Sequence, residues 1–373
     1  MQNIAVVFGG VSCEHDISIV SALLVLENIN KQKYNVFPIY IGGTGEWFLC
    51  EGNLTALDFK RRKMPDRAFK TITFLPGDNN LYFLKSKKLK KIDKIDCAVL
   101  VNHGLNGEDG TISSLMQLCN IPCSLSNIFS AAASMDKVAA KLIFKALDLN
   151  VLPYIDFSLN DYREEKEKIL DDIKKLLDFP VIVKPCNLGS SIGISVCGNI
   201  EELNFAIEAA FKYDVKIVVE KAVKDFIELN CSALHTNNEI MASEVERPIS
   251  YKEFLNFDEK YGVKIGMENC KRELPAKIDG ELRTKIQEIT KTIYKNFDCT
   301  GVVRVDYIYK DKIYINEVNA IPGSLSYYLW ESENISFSKL IDILILEAIK
   351  KFDEFKNCSF SYNSDILKIT PKK

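Results

Sequence analysis

The sequence has no basic excess, few histidines and no long apolar run. Its 373 residues carry 48 Lys and Arg against 51 Asp and Glu, a formal net charge of -3. Nucleic-acid-binding domains usually show a basic footprint, so that class gains no support and no nucleic-acid partner is expected. No stretch approaches the roughly 18 apolar residues of a membrane span, and no membrane partner is expected. The opening residues lack a basic n-region and a small-residue cleavage site, so the chain reads as cytoplasmic. Eleven cysteines are scattered without one C-x-x-C, and the three histidines stand far apart. Zinc sites and disulfide frameworks need tighter grouping. The cysteines therefore read as reduced, mostly buried small hydrophobes. The P-loop pattern G-x-x-x-x-G-K-[ST] is missing, and so is G-x-G-x-x-G, which disfavours a nicotinamide oxidoreductase.

What is present has two characters. At about 150 residues per domain, the length suggests two or three domains. In the first third, short apolar strands (4–8, 35–41, 97–101) alternate with helical patterns (17–28, 111–118), which predicts a doubly wound parallel sheet. A boundary falls near Ala133, before Met135-Asp136-Lys137 and a helix to about Leu147. A small α+β module follows, with strands at 181–184, 194–197 and 216–220 and a helix at 201–211. From about Phe226 strands dominate, broken by helices at 280–296 and 338–352, and the last 20 residues form a polar tail. The expected units are 1–133, 134–225 and 226–353, with the tail at 354–373.

The segment 301–323 carries the most chemistry. Residues 301–309 and 312–319 alternate as two strands around Lys310-Asp311. Residues i and i+2 share a strand face, so Arg304 points with Asp306, and Glu317 with Asn319. Pairing Tyr309 with Lys312 sets Arg304 opposite Glu317 and gathers all four. Hard oxygen ligands with a guanidinium suit Mg²⁺ and a phosphate, although a solvated face with an Arg–Glu pair has the same pattern. The turn at Asn319-Ala320-Ile321-Pro322-Gly323 adds backbone N–H groups suited to an anion. Lys184-Pro185-Cys186-Asn187-Leu188-Gly189-Ser190-Ser191-Ile192-Gly193 reads as a loop whose amides close over phosphates, or as an unliganded hairpin. Val218–Val223 with Glu228 offers strand backbone to an adenine edge and a carboxylate to ribose hydroxyls. Gly9-Gly10 precedes a helix, but Glu14 and Asp16 there favour an ammonium over a phosphate. His103 follows the strand 97–101, at the end where α/β sheets place ligands.

In this order, the segments from about residue 4 to 350 resemble the D-alanine–D-alanine ligase family within the ATP-grasp fold. The resemblance implies an α/β domain followed by two antiparallel-sheet domains that sandwich ATP. It implies that a D-alanine carboxylate takes the γ-phosphoryl group and that a second amino acid displaces phosphate. ATP and two Mg²⁺ ions, with Mn²⁺ as a substitute, are the implied cofactors, and a homodimer is the expected assembly. Glu14 resembles the acid holding the first substrate's ammonium, and His103 the nearby active-site histidine. Lys137, Lys184 and Ser191 match phosphate-contacting positions. Ser190 matches the serine linking Glu14 to a lid tyrosine. Glu220, Lys221 and Val223 resemble the adenine hinge, and Glu228 the ribose carboxylate. Asp306, Glu317 and Asn319 match the metal ligands, while Arg304 and the Gly323 amide match the oxyanion donors. Phe257-Asp258-Glu259-Lys260-Tyr261 resembles the lid, with Lys260 toward the nucleotide. Tyr261 is typical of dipeptide formers, where depsipeptide-forming relatives usually carry His.

Two positions depart from the family pattern. Tyr328, followed by Leu329, falls near the serine that binds the second substrate's carboxylate, and Ala320 replaces a usual threonine. The acceptor is therefore D-alanine or, as the alternative, D-serine or another D-amino acid. A non-ligase ATP-binding regulator is the reading from another class.

Overall fold

Fully buried apolar residues from Ile4 to Phe8 form the spine of the first sheet. The structure, a computed structural model, describes residues 1–59, 69–86, 88–124, 127–249, 272–362 and 364. The first region runs β1 (Gln2–Gly9), α1 (His15–Asn28), β2 (Tyr34–Ile41), β3 (Trp47–Cys50), α2 (Ala56–Phe59), β4 (Phe69–Leu75), β5 (Asp78–Lys85), β6 (Lys88–Lys94), β7 (Cys97–Leu100) and α3 (Thr111–Leu118). Its seven strands lie in the order β6-β5-β4-β3-β2-β1-β7. Here β1 pairs in parallel with β2 and β7, and β2 to β6 pair antiparallel. The expected parallel sheet is thus its centre, extended by an antiparallel meander.

Two short helices, α4 (Ile128–Met135) and α5 (Lys137–Ala146), lead out of this region. Asp136 caps α5, its side chain accepting from the amides of Val138 and Ala139. The second sheet is built from β8 (Tyr154–Ser158), α6 (Leu159–Leu176), β9 (Val181–Pro185), β10 (Ser195–Cys197), α7 (Ile200–Ala210) and β11 (Lys216–Lys221). Its order is β10-β9-β11-β8, antiparallel throughout, and α6 and α7 cover its apolar face.

The third sheet comprises β12 (Ile227–Thr236), β13 (Glu239–Ala242), β16 (Val302–Tyr309) and β17 (Ile313–Asn319) in the order β13-β12-β16-β17. Between them lie a small ladder, β14 (Arg247–Pro248) with β15 (Arg272–Glu273), and α8 (Gly280–Asn296). A 3₁₀ segment, Gly323–Leu329, precedes α9 (Phe337–Lys356), which runs four residues past its expected end. Leu325, Leu329, Trp330, Phe337 and Leu340 join the core of the first sheet. The end of the chain therefore packs back on its beginning and brings the Gly323–Leu329 segment against α1.

Candidate active site

The β16–β17 hairpin gathers its polar residues by a different register from the expected one. Tyr309 pairs with Ile313 and not Lys312, because the turn takes three residues. A bulge then admits Asn316, so Asp306 pairs with Glu317 and Arg304 with Asn319. One slip would flip every side chain to the other face; two slips restore the face. Arg304 donates to Asp306 through Nε at 2.6 Å and Nη2 at 2.8 Å. Asn319 Nδ2 donates to Asp306 Oδ2 at 3.1 Å. Asp306 Oδ2 thus accepts from both Arg304 and Asn319. Two carboxylates and an amide oxygen on adjoining strands are a hard donor set that fits a Mg²⁺-type cation.

Between the second and third sheets lies a cleft of about 170 Å³. Ile182, Val223, Phe226 and Ile308 line one part, and Lys137, Lys184, Ser191, Asn316 and Glu317 the other, with Glu228 also on the wall. An apolar slot beside two ammonium groups suits a base and its phosphates. Lys137 Nζ donates to the Leu188 carbonyl at 2.6 Å, tying α5 to the glycine-rich loop, and lies 3.9 Å from Glu317. Lys184 Nζ donates to Glu220 Oε2 at 2.9 Å and Asn316 Oδ1 at 3.2 Å. Glu220 itself lies 1% exposed between Lys184 and Lys141, so its side chain serves that ion cluster. Burial pushes its carboxyl up, yet Lys141 and then Lys184 hold it near 2. The Lys221 side chain turns away, donating to the Asp178 carbonyl at 3.2 Å.

At the β1–α1 loop, the buried Glu14 carboxylate accepts a hydrogen bond from Ser190 on the glycine-rich loop. Among the described residues its Oε2 is buried without a hydrogen-bond partner. Burial first, then Glu108, pushes the Glu14 carboxyl up to about 7, against the pull of Ser190, His103 and Lys137. Glycines make the approach feasible. A Cβ on Gly189 would stand 3.0 Å from Glu14 Oε2; one on Gly104, at φ +71°, would stand 2.6 Å away. His103 Nε2 hydrogen-bonds Ser21 Oγ at 2.8 Å, and that oxygen accepts from the Ser324 amide at 3.1 Å. Ser324, Leu325 and Ser326 have φ of +50°, +55° and +48°. Such left-handed residues cost roughly 1–2 kcal/mol each, so burial of Leu325 and the Ser21 bond must hold the turn that starts at Gly323.

Tyr328 donates to Glu246 Oε2 at 3.0 Å and stacks under the Arg272 guanidinium, 4.0 Å from the ring centre. Leu329 is fully buried in the core and presents no side chain to the site. Lys260 and Tyr261 lie outside the described residues. Sequence reasoning missed Lys141, Asn316, Glu246, Arg272 and Ser21. Lys141 did carry a signal, standing one helical turn after Lys137.

Comparison with known proteins fits this arrangement. Family models described as the D-ala D-ala ligase N-terminus and C-terminus match residues 3–126 and 143–346. The chain is 41% identical to the D-alanine--D-alanine ligase of Thermosipho melanesiensis over 372 residues, 99% of each chain. It is 39% identical to that of Caldicellulosiruptor bescii, covering 96% of this chain and 98% of the relative. Among solved structures it resembles the VanG D-Ala:D-Ser ligase of Enterococcus faecalis (TM-score 0.79, 32% identity, 93% and 99% covered). It also resembles the D-alanine-D-alanine ligase of Coxiella burnetii (TM-score 0.79, 26% identity, 95% and 96% covered). With ligase models over both parts of the chain and a relative at this identity over its whole length, the chain belongs to the D-alanine–D-alanine ligase family.

Proposed function

We propose that the chain is an ATP-dependent ligase that joins two D-alanines into D-alanyl-D-alanine for peptidoglycan precursors, acting in the cytoplasm as a homodimer. Its units are 1–133 for the first substrate, 134–225 and 226–353 for the nucleotide, and the tail from 354. The observation that carries the reading is the buried Glu14 Oε2 beside Ser190, without a hydrogen-bond partner among the described residues, next to a lysine-lined cleft. A lone carboxylate oxygen among glycines suits a small ammonium group.

Adenine lies against Ile182, Val223 and Ile308, with the backbone of Lys221 and Val223 along its edge. Glu228 holds the ribose, and Lys137, Lys184, Ser191 and Lys260 hold the phosphates. Two Mg²⁺ ions, or Mn²⁺ in their place, held by Asp306, Glu317 and Asn319 would neutralise phosphate charge. Glu14 holds the first D-alanine through its ammonium, with His103 beside it. A carboxylate oxygen of that substrate attacks the γ-phosphorus, the bond to the bridging oxygen breaks and ADP leaves. The second substrate's amine attacks the acyl carbon. Arg304 and the Gly323 amide receive the oxyanion. The C–N bond forms, the C–O bond to phosphate breaks, and the amine proton goes to the departing phosphate. With carboxyl-¹⁸O D-alanine, one label should appear in inorganic phosphate; unlabelled phosphate would refute the acylphosphate route.

A second reading has D-serine as acceptor. The Tyr328–Glu246 pair favours it, because the one phenolic proton is already donated to a carboxylate. Supplying D-alanine and D-serine together and weighing the products separates the two readings.

A further inference from the structure

We propose that Lys141 is a positioning residue: its buried ammonium holds one oxygen of Glu220 so that the other, with Asn316, aims Lys184 into the cleft. This rests on the reading of that cleft as the nucleotide site.

Lys141 is 1% exposed and does not line the cleft, so any effect on a ligand must pass through another group. It sits on α5 one turn after Lys137, on the same helix face. Lys137 reaches the loop carbonyl of Leu188, whereas Lys141 Nζ reaches Glu220 Oε1 at 3.0 Å, with Nζ 5.6 Å from the Tyr154 ring centre. Lys184 on β9 and Glu220 on β11 share a sheet face, because Lys184 pairs with Val218, two residues before Glu220. Each Glu220 oxygen thus serves one lysine, Oε2 by a hydrogen bond from Lys184 and Oε1 by an ion pair with Lys141.

An ammonium has three donors. For Lys184, Glu220 Oε2 and Asn316 Oδ1 take two. The third is the one a phosphate would meet, since Lys184 lines the cleft. Charge counting gives Lys141 its role. Two lysines and one carboxylate leave one net positive charge. Without Lys141, Lys184 and Glu220 form a neutral pair, and the ammonium is drawn from the phosphates into that pair. Buried ions respond strongly to the loss of one partner.

The test uses the full-length protein, with adenosine and β,γ-imido-ATP as probes in calorimetric titration. Lys141→Met keeps the bulk and removes the charge. The expected result is a Kd for the triphosphate raised roughly tenfold or more, an adenosine Kd within about twofold, and a raised KM for ATP with D-alanine KM unchanged. Lys141→Arg should recover most of the loss. The double variant Lys141→Met/Glu220→Gln restores one net positive charge and keeps an acceptor for Lys184, so triphosphate affinity should return to within about threefold. It also leaves no unpaired buried carboxylate, so it reads out even where the single variant folds poorly. Equal loss for adenosine and triphosphate, or a double variant no better than the single, would overturn the proposal. A wild-type protein that binds neither probe would instead refute the nucleotide reading.

Discussion

Glu14 offers a prediction that needs no substrate. Its carboxyl is raised from 4.5 to about 7, mainly by burial and then by Glu108. The folded state therefore binds this proton more tightly than the unfolded chain. The associated stability is fully present below about pH 4.5 and is lost as pH rises through about 7. At 1.36 kcal/mol per pH unit the term approaches about 3 kcal/mol. Glu14→Gln removes the ionisation and keeps an acceptor for the Ser190 hydroxyl. At pH 8 without substrate, the variant should be the more stable protein by up to about 3 kcal/mol. At roughly 2.1 cal/mol/K of unfolding entropy per residue, that is about 4 °C in Tm for a chain of this length. Near pH 5 most of the difference should vanish. Differential scanning calorimetry of both proteins from pH 5 to 8.5 measures it. Adding D-alanine at pH 8 should then raise the wild-type Tm and leave the variant unmoved. A pH-independent difference, or a variant less stable at pH 8, would refute the raised titration of the buried Glu14 carboxyl.

Other perturbations probe the remaining parts of the site. Glu317→Gln should lower turnover at least about a hundredfold with Tm little changed, checked by ADP release and calorimetry, because it weakens one of the proposed cation ligands. Wild-type turnover would remove Glu317 from that set. Ser21→Ala deprives the Ser324 amide and His103 of their shared partner. It should cost about 1–3 kcal/mol of stability and lower kcat, read by melting and steady-state kinetics; a silent variant would detach His103 from the turn at 323–326. Tyr328→Ser should change the ratio of D-alanine to D-serine incorporation about tenfold, read by product mass, and an unchanged ratio would take Tyr328 out of acceptor selection.

Residues whose chemistry and spacing agree were legible from the sequence. Arg304, Asp306, Glu317 and Asn319 could be placed on one face by the two-residue strand period alone. The register that achieves this was not legible. A three-residue turn and a bulge at Asn316 are local backbone choices that strand alternation does not encode, and their two slips cancel. The meander from Phe69 to Lys94 escaped notice because Lys85, Lys88, Lys90, Lys91 and Lys94 interrupt its alternation on an exposed sheet edge. Glu220 was placed on the right strand, but its partner Lys141 comes from a helix 79 residues away in sequence, and only the tertiary fold joins them. Leu329 follows Tyr328 in sequence and from that alone reads as a pocket residue. The left-handed turn at 324–326 instead sends it into the core of the first sheet.

The central claim is tested most directly by incubating the purified protein with ATP, Mg²⁺ and D-alanine, measuring ADP and phosphate release and weighing the product. The account predicts one ADP and one phosphate per D-alanyl-D-alanine formed. A protein that binds ATP but releases no ADP with D-alanine, alone or paired with any second D-amino acid, would contradict it.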